Sequence, residues 1–458
     1  MKYNKTIFKS TLSVVLVCSL LAVSACNKEE SFMYSNANIP KIASAVYPEM
    51  AMYPGDDGYF DNNGEMTDNA KKWSEQEDTR RKAIKELDKY KGSLQGFYGK
   101  TIDAFLIDNG NENRVFSPVN LYFALAMAAE ITDGESRSQI LELLGAENTE
   151  TLRKQTECLW TAGYRNDGAT TSVLANSLWL KEGLNYNEST VDTLAEKYFA
   201  SVFQGDTASK DMTNALRKWL NEQTGGLLKD SVENVELDPR TVAAICSTVY
   251  FRAKWDSVFS KNNNDNKTFH GSQGDVEKEF MNKTYTYGPY YCGEDFGAVY
   301  IDFAEGGGMW LILPDEGKSV NDVLKSGEYL GMIGNPYQWE NSVSVKVNCS
   351  VPKFDVASDI DLADGIKRLS VTDVFDIEKS DFTSLTEDSG VYFSEIKHAA
   401  RVTIDEEGCT AAAYTAMLAA GAALPPDDEV DFVVDRPFLF AVMGDCQQPL
   451  FVGTVYDL

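Results

Sequence analysis

Side chains that could carry chemistry are few in this chain and widely spaced. Only two histidines occur, His270 and His398, beside 70 acidic and 42 basic residues. Histidine-rich metal sites are thereby excluded. No G-x-S-x-G elbow, phosphate-binding loop or dinucleotide fingerprint is present. Acids abound, but abundance alone does not make the paired carboxylates of a glycan hydrolase, and that chemistry stays open only formally. Beyond the N-terminal region the cysteines are Cys158, Cys246, Cys292, Cys349, Cys409 and Cys446, with no C-x-x-C pair among them. The scatter does not suit zinc, and a core this large needs no disulfide framework. Mostly free, mostly buried thiols are expected, although an exported chain could form a bridge. The expectation is a protein that is not an enzyme and has neither metal nor cofactor.

The segment that calls for a different kind of chemistry is Glu406-Glu407-Gly408-Cys409-Thr410-Ala411-Ala412-Ala413-Tyr414-Thr415-Ala416-Met417, continuing to Leu424. After its two acids, neither charge nor proline appears until Pro425. Its side chains are too small to make a core element of its own. Uncharged, proline-free runs add readily to sheets. At period two, Cys409, Ala411, Ala413, Thr415, Met417 and Ala419 share one face. That describes a strand with a small inner face, able to slip between strands already in place. Alanine's helix propensity leaves a surface helix open on local grounds. The flanks favour the strand: Ala400 to Asp405 alternates upstream, as do Val430 to Val442 and Pro449 to Val455 downstream.

Other stretches supply the elements that would position this segment. Ser117-Pro118 reads as a helix start, serine capping free amides and proline giving up a donor that has no partner there. Leu121, Ala124, Leu125 and Ala128 follow at helical spacing. Gly225-Gly226 ends the helix through Thr224, where a left-handed residue is needed. Trp179 and Trp255 lie in alternating apolar runs and are core candidates whose indole N–H groups need partners.

Taken in order, Arg114 to Asn120, Leu174 to Leu180, Trp219 to Leu228, Val249 to Trp255, Val351 to Phe354, Ile404 to Ala413, Arg436 to Phe440 and Pro449 to Gly453 resemble the motifs of the serpin family, from roughly Ser93 to Leu458. The resemblance implies an α+β serpin fold. A large, mainly antiparallel central sheet is expected, with further sheets, surrounding helices and an exposed reactive-centre loop over about residues 406–431. It also implies suicide inhibition: a protease cuts the loop and is acylated, and the freed hinge enters the sheet as a new strand. Glu406, Glu407, Gly408, Cys409, Thr410, Ala411, Ala412 and Ala413 match the hinge. Counting from Glu406 places the scissile bond at Ala422-Ala423, slipping by one or two residues at most. Alanine before the cut suits elastase-like serine proteases. A non-inhibitory serpin-fold binding or structural protein, a cysteine protease inhibitor, and a surface lipoprotein that captures nutrients are the competing readings.

Further residues match family landmarks. His398 matches a histidine beneath the opening sheet. Ser117 and Pro118 stand beside it, but the family's serine position is Asn120 here and its asparagine position is Ser247. One polar cluster with exchanged members is expected, against an ordinary core histidine. Trp255, Lys353 and Glu406 match the top of the sheet where the loop enters. A solvated lysine and glutamate would be the default for the last two. Cys409 stands where threonine or serine is usual. It is expected to be accessible while the loop is out and buried after insertion, which would make inhibition redox-sensitive. The alternative is a small, tolerated substitute.

The N-terminus gives the address. Lys2, Lys5 and Lys9 precede a short apolar run, Leu12 to Val23, then Val23-Ser24-Ala25-Cys26. Residues 1–25 read as a signal peptide. Val-Ser-Ala-Cys resembles a bacterial lipobox with Cys26 lipidated, and an ordinary cleaved signal is the alternative. A lipoprotein of a Gram-negative outer membrane, surface-exposed, is expected. Residues 26–91 read as an acidic tether, extended to Asn69, with a helical lead-in from Asp68 to Leu87; the serpin domain follows over 92–458. Cleavage before Cys26 would take the net charge from −28 to −31. Nucleic acid is thereby disfavoured as a partner, and contact with anionic lipid falls to the acyl anchor. The expected partners are a target protease and, through that anchor, the membrane, with the head a monomer.

Overall fold

Local signals set most of the helix boundaries. A computed structural model describes residues 39–227, 233, 235–238, 241–393, 396–409 and 428–458. Helix α1 (Asp68–Leu87) starts at Thr67, whose hydroxyl accepts from the Ala70 N–H. Helix α2 (Lys91–Leu106) follows almost directly. Helix α3 (Pro118–Ile131) starts at Ser117, whose Oγ accepts from the Asn120 N–H at 3.2 Å. It is apolar all round and accordingly sits inside the molecule. Helix α4 (Thr149–Gly163) is capped by Asn148. Helix α5 (Lys210–Gln223) is capped by Ser209 and ends at Thr224, after which Gly225 and Gly226 take φ of +58° and +82°. A Cβ on Gly225 would lie 2.7 Å from the Tyr250 ring, so glycine is required there twice over. Helix α6 (Glu328–Gly334) lies against the second sheet's side of the molecule, beside α2.

Two sheets carry the fold. The first runs β1 (Lys41–Ala43), β5 (Ala200–Gly205), β4 (Thr171–Lys181), β6 (Ala243–Lys254), β14 (Gly408–Cys409), β13 (Lys397–Ile404), β12 (Phe354–Asp361), with β3 (Arg165–Asn166) paired to β4. All its pairs are antiparallel except β4 with β5. The second runs β15 (Glu429–Val433), β11 (Ser342–Pro352), β8 (Gly274–Cys292), β9 (Phe296–Asp302), β10 (Gly308–Pro314), β16 (Phe438–Met443), β17 (Pro449–Val455), β2 (Arg114–Phe116), with β7 (Asp265–Gly271) on β8. Strands β16 and β17 are buried on both faces, which explains their nearly continuous apolar sequence. Met212, Leu216 and Trp219 of α5 cover Ala175, Trp179 and Phe203 on one face of the first sheet. The two core indoles find partners: Trp179 Nε1–H donates to Ser177 Oγ at 2.9 Å and Trp255 Nε1–H to the Asp405 carbonyl at 2.8 Å.

The extended tether expected up to Asn69 is corrected for residues 39–69, which dock on the body together with the helix expected over Asp68 to Leu87. Strand β1 adds to the edge of the first sheet at β5. The Tyr47 ring stacks on Trp160 and Tyr164 at 5.7 and 5.6 Å. The Tyr53 N–H donates to the Asp167 carbonyl, and Trp73 Nε1–H to the Asp167 carboxylate at 3.1 Å. Arg80, 8% exposed, pairs with Glu77 and with Asp445 in the β16–β17 turn. Averaged composition concealed this. Ile42, Tyr47 and Met50 are spaced among polar residues, and each packs against the apolar core of the body. Tyr47→Ala is expected to lower unfolding stability by about 2 kcal/mol, read from urea unfolding. An unchanged midpoint would mean that this segment contributes nothing to stability.

Candidate functional site

The site is built around the turn that leaves β13. Asp405 begins it as an Asx turn, its Oδ1 accepting from the N–H groups of Glu407 (2.8 Å) and Gly408 (3.1 Å). The chain therefore reverses, and Cys409 pairs with Ile404 on one side and Ala253 on the other. The turn is held from beneath. Trp255 N–H donates to the Glu407 carbonyl at 3.0 Å, and Phe259 N–H to the Glu406 carbonyl at 2.9 Å. Trp255 is itself buried and stacked on Phe303 at 5.2 Å. Gly408 is required by close approach, because a Cβ there would lie 2.2 Å from the Ala253 carbonyl oxygen.

Glu406 fixes the same turn through its side chain. Its carboxylate, 5% exposed, takes Lys353 Nζ at 2.7 Å and Asn264 Nδ2–H at 2.6 Å. Burial alone would raise its pKa. The Lys353 ammonium and the Asn264 amide outweigh burial, and the carboxyl titrates below the usual range. Lys353 also pairs with Glu279. In place of the solvated lysine and glutamate that would be the default on sequence grounds, a half-buried lysine is paired with a buried carboxylate. Asn264 and Glu279 escaped the sequence reading because both come from the distant β7–β8 region and carry no local signal. Asp405 could have been found, since an aspartate two residues ahead of an unpaired amide is a turn signal.

Below Gly408–Cys409, no ladder joins β6 to β13 among the described residues; β14 is the described strand between them. Residues 410–427, which include Thr410, Ala411, Ala412, Ala413 and the bond Ala422-Ala423, lie outside the described residues, as does Cys26.

Cys409 corrects an expectation. It is 2% exposed, covered by β6 and β13, and burial pushes its thiol up to about 12. The sheet already holds the hinge residues Gly408 and Cys409, so this sulfur is neither open nor ionised, and the expected redox sensitivity loses its basis. All six cysteines among the described residues are free, three buried and three half-buried.

Deeper in the sheet, His398 is buried beside the Phe116 ring at 5.3 Å. Its Nε2 accepts from the Ser117 backbone N–H at 3.1 Å, so the ring proton sits on Nδ1. The expected trio is not assembled. Among the described residues no hydrogen bond joins the side chains of His398, Asn120 and Ser247, and the Ser247 hydroxyl is buried without a partner. Burial lowers the His398 pKa to about 4. Its unfolded value is near 6.5, so between those values the unfolded chain binds more protons and stability falls as pH falls. Protonation would also set one donor against another at Ser117. His398→Asn is expected to flatten the stability profile between about pH 6.5 and 4. Urea midpoints across that window check this, and equal slopes in both proteins would contradict it.

A turn buried at the top of a large sheet, setting Gly408–Cys409 between β6 and β13, defines the class: an α+β protein of the serpin fold. The chain belongs to the serpin family. Residues 95–458 match the family model described as Serpin (serine protease inhibitor). Mouse neuroserpin is 29% identical over 72% of this chain and 82% of its own length. Human leukocyte elastase inhibitor is 27% identical over 77% and 96%. The native-state structure of the thermophilic serpin tengpin superposes with a TM-score of 0.71 at 27% identity, covering 81% of this chain and 94% of that one.

Proposed function

We propose that this protein inhibits a serine protease as a suicide substrate. The loop is cut near Ala422-Ala423, and the acylated enzyme is trapped as the chain after Cys409 enters the first sheet between β6 and β13. The observation that carries this reading is the two-residue strand β14: Gly408–Cys409 is paired on both sides, and the next residues in sequence are small and uncharged. Extending β14 downward would continue a register already begun. Alanine before the cut favours an elastase-like target with a small primary pocket, and the likeness to human leukocyte elastase inhibitor agrees with that class. The N-terminal sequence supports an exported lipoprotein held to a Gram-negative outer membrane at Cys26.

Incubating the protein with elastase-like, trypsin-like and papain-like proteases tests this. The expected result is a covalent, denaturant-stable complex with an elastase-like serine protease at near-unit stoichiometry. Loop cleavage without any complex would instead indicate a non-inhibitory serpin. A complex with the papain-like enzyme alone would move the target to cysteine proteases.

A further inference from the structure

Helix α5 covers one face of the first sheet, and the chain leaving it spans from β6 to β13. On the β6 side Gly225 lies on the Tyr250 ring so closely that a Cβ would meet it at 2.7 Å. On the β13 side Arg401 Nη1–H donates to the Leu227 carbonyl at 3.2 Å. The guanidinium is aimed by Asp355 of β12, whose carboxylate takes Arg401 Nε–H at 2.8 Å and Nη2–H at 2.6 Å. This two-pronged pair holds the Asp355 carboxyl below the usual range and leaves Nη1 for Leu227. Ala400 and Val402 are buried while Arg401 between them keeps about a third of its surface, so the arginine stands on the α5 face. The two ladders of β14 locate this bridge. Gly408 faces Lys254 and Cys409 faces Ala253, so the antiparallel count brings position 412 opposite Tyr250. Cys409 also faces Ile404, and the count along β13 brings the same position opposite Arg401. Tyr250 and Arg401 therefore flank one level of the path below β14, and the exit of α5 covers that level.

We infer that Arg401 is a positioning residue of the proposed inhibitory reaction: its bond to Leu227 latches the exit of α5 over the space between β6 and β13 and slows the entry of a strand there. A strand extending β14 turns alternate side chains toward α5, at a level where Gly225 has no space even for a Cβ. The exit must lift before that level can fill, and the Arg401 bond must break for it to lift. A bond broken on the way to the transition state adds its net strength to the barrier. The effect is to keep the sheet from filling before the loop is cut. This inference rests on the strand-entry reading above, and its test separates the two.

The test uses a fluorescein-labelled synthetic peptide with the sequence of Thr410 to Gly421, which begins where β14 ends, and follows its stable uptake by the protein. Arg401→Met keeps the stem and removes the donors; it is expected to take up the peptide about three- to tenfold faster than the unaltered protein. Asp355→Asn loosens the guanidinium and is expected to fall between the two. Thr403→Val removes a neighbouring bond to the same Asp355 carboxylate but leaves Leu227 held, so its rate is expected to be unchanged. Urea midpoints of all the variants are measured alongside to confirm folding. Unchanged uptake in folded Arg401→Met, or equal acceleration by Thr403→Val, overturns the latch. Should Arg401→Met fail to fold, unchanged uptake in Asp355→Asn overturns it equally. No uptake by any of the proteins overturns the latch together with strand entry. Uptake that quickens in Arg401→Met, in a protein that traps no protease, upholds the latch and overturns only the inhibitory reading.

Discussion

Gly408→Val is expected to turn the proposed inhibitor into a substrate. A Cβ at this position would lie 2.2 Å from the Ala253 carbonyl oxygen and 2.8 Å from the Lys254 Cα, both backbone atoms of β6 that cannot step aside. Valine adds two methyl groups to that overlap, so β14 must leave the sheet. The first pair of the proposed inserting strand is then lost, although loop cleavage itself is untouched. Cleavage leads either to trapping or to hydrolysis of the acyl-enzyme, and a barrier raised by about 1.4 kcal/mol shifts that partition tenfold. The expected readout is a stoichiometry of inhibition raised by about tenfold or more, with cut inhibitor accumulating. Ala411→Arg and Ala413→Arg extend the logic further along the loop, on the face that Cys409 begins. An arginine buried there unpaired would cost several kcal/mol. Near-unit stoichiometry retained by Gly408→Val would overturn entry by way of β14.

What the sequence made legible follows from how local each determinant is. Helix starts at Ser117-Pro118 and stops at Gly225-Gly226 are written within a few residues, and the structure has them in place. The alternation from Ala400 to Ile404 likewise became β13, with Ala400, Val402 and Ile404 facing inward. The tether was misread because docking depends on a surface that no window of sequence contains. Tyr47 is one ring in a polar stretch until Trp160 and Tyr164 are folded beneath it. The His398 cluster failed for a related reason. Exchanging Asn120 and Ser247 conserves side-chain types but not reach, and the shorter serine on β6 has no partner among the described residues. Cys409 looked exposed because a loop was expected to start at Glu406, whereas the Asp405 turn carries two more residues into the sheet.

The Lys353–Glu406 pair bears on how that turn is kept in place. Glu406→Lys would set a second ammonium beside Lys353 in a site where the glutamate is 5% exposed and Lys353 retains about a third of its surface. Removing one partner of a buried pair costs about 3–5 kcal/mol, and the exposure of Lys353 argues for the lower end, about 3 kcal/mol. Asn264 and Glu279 would remain to solvate one cation but not two. The loss falls on the turn that holds β14, so the edges of β6 and β13 would come free at the top of the sheet. Unpaired edges with small side chains associate between molecules. Glu406→Lys is therefore expected to lower the unfolding midpoint and to form soluble oligomers on mild warming, followed by light scattering and size-exclusion chromatography. Lys353→Glu alone is expected to do less, since its charge would face water in part. The double reversal, Lys353→Glu with Glu406→Lys, restores opposite signs across the 2.7 Å contact. It should recover much of the lost stability and most of the monomer, unless Glu279 repels the new glutamate at position 353. For that reason the cycle is also run with Glu279→Gln, where recovery should be fuller. If the double variant is as unstable as Glu406→Lys in both backgrounds, the pair's charges do not hold the turn. Packing of Trp255 against Phe303 would then be what keeps β14 in the sheet.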